Sequence, residues 1–204
     1  MNAAEAAAQA PAAGRVAGRL QTIVVLAVTA AVIGIGALLM GAGGFGQNGD
    51  VSQVTLTGDV ADTAPVVGAV PPRFSATTYD GKALDLADYA GKPLWLTFGA
   101  SWCPDCRSEA PDVEAAYQKY RAQGLNVVAV FISESPTDIG SYAGKVGLTF
   151  PIAVDQQTKI ASKYRTMGIP THFFIGADGK IKDVKLGALD PATMDSEIQA
   201  ILGK

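Results

Sequence analysis

The stretch Trp102-Cys103-Pro104-Asp105-Cys106 contains the only two cysteines among the 204 residues of the chain. An apolar run at residues 94–98 precedes it and a helical pattern follows, which places both sulfurs in the first turn of a predicted helix. Unpaired backbone N–H groups and the helix dipole favour a thiolate at that position. A second thiol one turn further along can resolve a mixed disulfide, so the spacing predicts thiol–disulfide exchange.

Two other uses of the cysteine pair fit the sequence less well. A purely structural disulfide across so short a loop removes little conformational entropy from the unfolded chain. Zinc sites normally have four ligands, and two cysteines with one histidine, His172, do not supply them. We therefore predict a redox-active pair that needs no cofactor and no metal ion.

The composition limits the class of protein. Apolar residues make up 49% of the chain, which is enough for a packed core, and the formal net charge is −3. No basic cluster is interleaved with aromatic residues, so we expect no nucleic-acid partner. The length fits a single domain of ordinary size once the first fifty or so residues are set aside.

Those first residues carry a signal for membrane attachment. Residues 1–19 form an Ala-rich tail, and no charged residue occurs between Arg19 and Asp50. The apolar segment 20–42 exceeds the roughly 20 residues that a helix needs to cross a bilayer, and the arginines before it favour a cytoplasmic N-terminus. A cleaved signal peptide is the alternative, with small residues at positions 41–44 for a peptidase. We predict a single-pass anchor in the cell membrane with the rest of the chain outside the cytoplasm.

An extracytoplasmic location changes what the cysteines can do. Thiols outside the cytoplasm tend to be oxidised, so the pair either makes disulfides or is kept reduced by a dedicated donor. Residues 43–69, rich in Gly, Asp, Thr and Val, are predicted to be a linker between the anchor and the redox domain.

Strand and helix signals alternate from about residue 70 onwards. Turn signals at Asp80-Gly81 and Asp178-Gly179 predict two hairpins, and Pro111 predicts that the first helix kinks or divides. The order βαβα followed by a hairpin and a helix predicts a mixed sheet with helices on both faces. Strands are predicted at residues 74–78, 83–86, 94–98, 125–132, 149–154, 171–175 and 181–186, and the later helices at 135–147, 156–165 and from Asp190-Pro191 onwards.

Residues 70–204 resemble the thioredoxin fold, in the membrane-anchored TlpA/ResA-type branch of the thioredoxin and redoxin superfamily. The matching segments are Asp80-Gly81-Lys82, Tyr89-Ala90-Gly91-Lys92, Phe98-Gly99-Ala100-Ser101-Trp102-Cys103, Glu109-Ala110-Pro111 and Gly168-Ile169-Pro170-Thr171. The resemblance implies that Pro170 follows a cis peptide bond and faces the disulfide. It also implies that Trp102, Pro170 and Thr171 contact the substrate.

The resemblance assigns roles at the reacting centre as well. Cys103 would attack a substrate disulfide. Cys106, which helix geometry turns inward and so makes the less exposed of the two, would resolve the mixed disulfide. Glu109 would assist proton transfer, because Thr97 stands where thioredoxin has a buried Asp. The implied partners are protein thiol and disulfide substrates, such as apocytochrome c, and a membrane thiol donor of the CcdA/DsbD type.

Two other activities depend on residues of the same kinds. Sco-type copper chaperones combine two cysteines with a histidine on a related fold, and Cys103, Cys106 and His172 would suit Cu(I). Their motif has three residues between the cysteines, whereas this chain has two. A peroxidase of the peroxiredoxin kind fits less well, because the proline and threonine expected just upstream of its reactive cysteine are missing.

Overall fold

The computed structural model describes Ala27, residues 54–56 and residues 64–204. Residues 54–56 and 64–204 belong to one compact unit, Asp50–Lys204. Its strands are β1 (Thr55–Leu56), β2 (Phe74–Thr77), β3 (Ala83–Asp85), β4 (Leu94–Gly99), β5 (Asn126–Ile132), β6 (Ile152–Asp155), β7 (Thr171–Ile175) and β8 (Ile181–Leu186). Its α-helices are α1 (Pro104–Tyr120), α2 (Pro136–Val146), α3 (Lys159–Lys163) and α4 (Pro191–Leu202), with 3-10 turns at Leu86–Tyr89 and Arg121–Gln123.

A five-stranded sheet in the order β6-β5-β4-β7-β8 forms the centre of the domain. Strands β4, β5 and β6 run parallel, and β7 and β8 pair antiparallel to the strands beside them. Strands β1, β2 and β3 form a separate antiparallel sheet. The predicted mixed sheet and both predicted hairpins are confirmed, with positive φ angles of 82° at Gly81 and 75° at Gly179.

Side chains of the central strands alternate between two apolar cores because successive residues of a strand point to opposite faces. Along β4, Trp95 joins the core beneath α1, α2 and α4, whereas Leu96 joins the core shared with β2, β3 and α3. Both cores are extensive, and burying a large apolar side chain stabilises the fold by about 1.5–3 kcal/mol. Helices on both faces of the sheet, as predicted, complete a thioredoxin-like α/β fold.

Three helices begin with the same local chemistry. The N-cap residues Cys103, Ser135 and Asp190 each accept a hydrogen bond from a backbone N–H of the first turn, and each is followed by proline. Proline suits the first helical position because its missing N–H would have no partner inside the helix. Pro111 lies inside α1, which continues through it without dividing. Pro111 has no N–H, so the helix lacks one backbone hydrogen bond at this position. The helix continues because Ala110 and Val113 on either side are buried in the core.

Two predicted elements are shorter than expected. Strand β6 begins at Ile152 rather than at Thr149, since Pro151 cannot donate to a sheet ladder and Thr149 instead donates its backbone N–H to Glu114 across 2.9 Å. The helix expected at residues 156–165 is reduced to α3, because the chain reaches it through a left-handed turn at Thr158. The inward side chains predicted for this segment, which are Ile160, Ala161 and Tyr164, are buried.

The predicted tail 1–19 lies outside the described residues, and so does the predicted membrane segment 20–42 except for Ala27, which is helical. Most of the predicted linker 43–69 is likewise outside them, although Thr55 and Leu56 form β1. Within the part of the chain that the structure describes, no helix is both long and apolar enough to cross a bilayer.

Candidate active site

Cys103 and Cys106 form a disulfide at the N-terminus of α1, with their Cα atoms 5.3 Å apart. Cys103 is the N-cap residue, and its Sγ accepts a hydrogen bond from the backbone N–H of Cys106 across 3.2 Å. The sulfur therefore covers an N–H group that the helix itself leaves without a partner. On reduction this donor would stabilise a thiolate on Cys103, since hydrogen bonds to a charged acceptor are the stronger ones.

The two cysteines do not differ in exposure as the helix geometry predicted. Cys103 is 4% exposed and Cys106 is 7% exposed, so Cys106 is not the more covered of the two. Both are packed with Ala100, and the half-buried side chains of Ile132 and Ile169 cover them. The expectation was wrong because it considered α1 alone, whereas the loop before β7 also covers Cys103.

That loop carries the cis peptide bond expected from the family resemblance, between Ile169 and Pro170. Cys103 Sγ lies 3.7 Å from the carbonyl oxygen of Ile169. The carbonyl of Pro170 accepts the N–H of Gly187 across 2.8 Å, and the hydroxyl of Thr171 donates to the carbonyl of Gly168 across 2.6 Å. Thr171 is buried, so its side chain stabilises the loop rather than extending towards a substrate.

Trp102 is 54% exposed beside the disulfide. It borders a groove of about 610 Å³ between the cysteine loop and α2. The groove offers charges of both signs and an aromatic ring, from Arg107, Glu134, Lys145 and Tyr142. A polypeptide lying next to the disulfide would meet this surface first.

Glu109 is buried one turn after Cys106, on the side of α1 that faces the sheet. Its Oε2 accepts the backbone N–H of Leu189 across 3.0 Å and lies 3.5 Å from Nε2 of His172. The structure therefore brings Glu109 to the covered side of the cysteine pair. Glu109 is therefore not a solvent-exposed helical side chain.

His172 is fully buried on β7, beneath α1. Within residues 54–56 and 64–204, no three Cys, His, Asp or Glu side chains are placed to hold a metal ion together. The Cys103, Cys106 and His172 set considered for copper is therefore not assembled. His172 instead contacts Glu109 and, through Nδ1, the side chains of Trp95 and Thr97.

Glu134 is a site residue that the sequence reasoning missed. Its carboxylate accepts hydrogen bonds from the backbone N–H of Ser101, across 2.8 Å, and from the Ser101 hydroxyl. Glu134 therefore stabilises the loop that leads into Trp102 and Cys103. Burial raises the pKa of the Glu134 carboxyl, and the two bonds from Ser101 oppose that shift. The available signal was topological: residues that follow adjacent parallel strands, here β4 and β5, emerge at the same edge of the sheet.

Comparison with known proteins agrees with this geometry. Residues 67–184 match the AhpC/TSA family. The thiol-disulfide oxidoreductase ResA of Geobacillus thermodenitrificans is 32% identical over 139 residues, which are 68% of this chain and 80% of that protein.

Solved structures of disulfide-exchange proteins are similar to this chain as well. A proposed thiol:disulfide interchange protein DsbE from Chlorobium tepidum superposes with a TM-score of 0.64 at 31% identity, covering 69% of this chain and all of that one. A secreted Mycobacterium tuberculosis disulfide oxidoreductase gives a TM-score of 0.57 at 26% identity, covering 62% of this chain and 95% of that one. Joined to a disulfide at a helix N-terminus beside a cis-proline loop, these matches show that the chain belongs to the AhpC/TSA family and is a ResA-type, thioredoxin-like thiol–disulfide oxidoreductase.

Proposed function

We propose that this oxidoreductase reduces disulfides of exported proteins through a Cys103/Cys106 dithiol–disulfide cycle. The observation that carries the proposal is the position of Cys103 Sγ, which accepts the N–H of Cys106 and lies 3.7 Å from the Ile169 carbonyl next to the cis-proline. A sulfur placed there can be stabilised as a thiolate by the helix and can meet a client held along the loop.

The cycle begins with the reduced pair. The Cys103 thiolate attacks one sulfur of a client disulfide, forming a Cys103–client bond and releasing a client thiolate, which takes up a proton. Deprotonated Cys106 then attacks Cys103 Sγ, so the Cys103–Cys106 bond forms and the Cys103–client bond breaks. The second client thiolate leaves and is protonated. Two electrons have passed to the client, and a thiol donor must return the pair to its reduced form.

Glu109 is the proposed acceptor of the Cys106 proton. It is a buried carboxyl group one turn further along α1, and Cys106 and Glu109 share the face of the helix that packs on the sheet. Thr97, the residue at the position of the buried Asp of thioredoxin, has no carboxylate for this purpose. General acid–base assistance of this kind typically contributes about 10²-fold or more to a rate.

Client binding is assigned to the exposed Trp102 and to the backbone of the Pro170-Thr171 loop. The buried hydroxyl of Thr171 is already bonded to Gly168. The Pro170 carbonyl is likewise bonded to Gly187, so a client would meet the main chain of Ile169 next to Cys103. Recognition would therefore depend weakly on the client's side chains. Weak side-chain dependence suits an enzyme that acts on several proteins.

The location and partners follow from the uncharged segment 20–42 and from the ResA-type relationship. We propose that segment 20–42 anchors the protein in the cell membrane, that the redox domain lies outside the cytoplasm, and that a CcdA/DsbD-like membrane protein supplies electrons. Apocytochrome c, which must present reduced cysteines, is the proposed client. Asp105 supports a reducing role. A carboxylate in the first turn disfavours a thiolate on either cysteine and so favours the disulfide form of the pair. A pair that prefers its disulfide form readily gives electrons to a client.

Equilibration of the full-length protein with glutathione buffers tests the direction of the reaction. A reductant should show a reduction potential below about −220 mV. Such a value is nearer to the potential of thioredoxin than to the potential of strong oxidants, which is about −120 mV. A potential close to −120 mV would contradict the proposed direction while leaving disulfide exchange intact. A parallel series with Cu(I) addresses the copper alternative: tight stoichiometric copper binding without exchange of client disulfides would contradict the whole proposal.

A further inference from the structure

The buried imidazole of His172 is surrounded by four polar groups. On one side, Nδ1 lies 3.3 Å from the indole nitrogen of Trp95 and 3.0 Å from the hydroxyl of Thr97. On the other side, Nε2 lies 3.3 Å from the carbonyl oxygen of Gly187 and 3.5 Å from Oε2 of Glu109. The ring is 0% exposed, so bulk water does not compete for these contacts.

Trp95 decides which nitrogen of His172 carries the proton. An indole N–H can only donate a hydrogen bond, so Nδ1 must accept and must carry a lone pair. A protonated Nδ1 would set two N–H groups against each other in a buried site. His172 is therefore neutral with its proton on Nε2, the nitrogen that faces two acceptors, Glu109 and Gly187.

The same contacts constrain Glu109. Its Oε2 accepts the backbone N–H of Leu189 across 3.0 Å and lies 3.5 Å from Nε2 of His172, whose hydrogen bond is to the Gly187 carbonyl. A proton on Oε2 would face the Leu189 N–H and the imidazole edge. The proton that Glu109 gains or loses must consequently reside on Oε1, and the orientation of the carboxyl group is set by His172 and Leu189.

We propose that His172 is a positioning residue for the resolution step: held in the Nε2–H form by Trp95, it orients Glu109 so that Oε1 takes the proton of Cys106. The inference rests on the proposed function and adds to it a residue that does not contact the reacting sulfurs. The transferred proton passes from Cys106 Sγ to Glu109, and the resulting thiolate attacks Cys103 as described above.

Other charged and titratable groups near this pair belong to α1, α2, β8 and α4. Lys185 lies opposite His172 in the β7–β8 pairing and forms ion pairs with Asp183 and with Glu197 of α4. Tyr142, on α2, has its phenol pKa raised mainly by burial, with Glu109 and Glu134 adding to the shift and Arg107 opposing it. Arg107 and Tyr142 therefore act on the same electrostatic environment as Glu109. They remain unchanged in every variant below, so a change in pH profile between variants cannot come from substituting them.

The first test reads the tautomer directly. His172 is the only histidine in the chain, so selective ¹⁵N-histidine labelling of the full-length protein in detergent micelles gives one imidazole to assign. Long-range ¹H–¹⁵N spectra should show an unprotonated Nδ1 and a protonated Nε2. Trp95→Phe removes the donor to Nδ1 and should allow the Nδ1–H tautomer to appear. A wild-type Nδ1–H tautomer, or an imidazolium at pH 7, would overturn the inference whether or not the Trp95 variant folds.

The second test measures the rate of resolution of a preformed Cys103 mixed disulfide as a function of pH. His172→Phe keeps a buried ring but removes both nitrogens, and it should slow resolution about tenfold, within the usual range of coupling between contacting residues. His172→Gln retains an N–H near the Nε2 position and should recover most of the rate and the parent pH profile. Attack by Cys103 on a fresh disulfide should be unchanged in both variants.

A double-variant cycle separates positioning from a general loss of stability. Because His172 acts through Glu109, His172→Phe combined with Glu109→Gln should be no slower than Glu109→Gln alone. Full additivity, or an unaltered rate in His172→Phe, contradicts the inference. These outcomes differ from failure of the proposed function, in which the wild-type protein itself would not exchange disulfides.

Discussion

The backbone N–H of Cys106 donates to Cys103 Sγ across 3.2 Å, so the helix that carries both cysteines stabilises one sulfur specifically. The bond arises because Cys103 is the N-cap residue of α1 and Cys106 lies in the first turn. The two sulfurs are almost equally covered, so accessibility does not distinguish them. Their different roles follow from this hydrogen bond and from the Ile169 carbonyl that faces Cys103.

We expect the single cysteine variants to behave differently towards clients. Cys106→Ala lacks the resolving thiol, so mixed disulfides between Cys103 and its clients should accumulate and be recovered from cells on non-reducing gels. Cys103→Ala should form no such adduct, and both variants should lose turnover entirely. Mass spectrometry of the trapped species would identify the client. Equal trapping by both variants, or trapping by Cys103→Ala alone, would reverse the assignment.

Glu109→Gln should slow the resolution step by about 100-fold near neutral pH, the lower end of the usual contribution of a general base. Glutamine can still accept the Leu189 N–H, so the local fold should be preserved. Rapid-mixing measurements of the resolution of a preformed mixed disulfide would show the loss of rate.

Asp105→Asn is the matched control for that experiment. Asp105 is an exposed acid of the first turn, and its removal should make the Cys103 thiolate easier to form while leaving the shape of the resolution profile unchanged. The role given to Glu109 fails if Glu109→Gln matches the parent and only Asp105→Asn alters the thiol titration.

Glu134 should make folding stability depend on pH. Burial raises its pKa above the ordinary value of 4.5, so the unfolded chain loses this proton at lower pH than the folded protein does. The predicted quantity is the free energy of unfolding of the parent minus that of Glu134→Gln. This difference should fall as pH rises from about 4.5 through the raised pKa, and it should level off at higher pH. Urea unfolding at several pH values measures the difference.

Asp178→Asn provides a control of opposite sign for Glu134→Gln. The hydrogen bond from Lys182, followed by one from the Lys180 backbone, lowers the pKa of the exposed Asp178 carboxyl. The parent should gain stability relative to Asp178→Asn as pH rises towards 3.8. Salt should reduce this gain, because it screens the attraction between exposed charges. A Glu134→Gln difference that does not vary with pH would show that burial does not raise the pKa of the Glu134 carboxyl.

The proposed membrane anchor predicts the behaviour of the intact protein in cells. Protease added to spheroplasts should digest the redox domain, and a carbonate wash should leave the protein in the membrane fraction. Protection from protease would refute the extracytoplasmic orientation. A mature protein beginning near residue 45 would instead identify segment 20–42 as part of a cleaved signal peptide.

Local chemistry was sufficient to predict most of the scaffold. The pairs Cys103-Pro104, Ser135-Pro136 and Asp190-Pro191 mark three helix starts, because each cap and each proline act on backbone groups within a few residues. Asp80-Gly81 and Asp178-Gly179 mark the two hairpins for the same reason. The reactive pair was also evident from the sequence, since its chemistry depends on the three-residue spacing along one helix.

The surroundings of that pair depended on contacts between distant segments. Trp95 and His172 are 77 residues apart, Glu109 and Leu189 are 80 apart, and Ser101 and Glu134 are 33 apart. Residue periodicity assigns a side chain to a face of its own helix or strand, but it does not specify which groups the opposite element presents there. The sequence by itself therefore determined the reactive cysteines and the order of the elements. Only the tertiary structure decided that His172 contacts Glu109 and that both cysteines are covered, because packing of the sheet, α1 and the cis-proline loop creates those contacts.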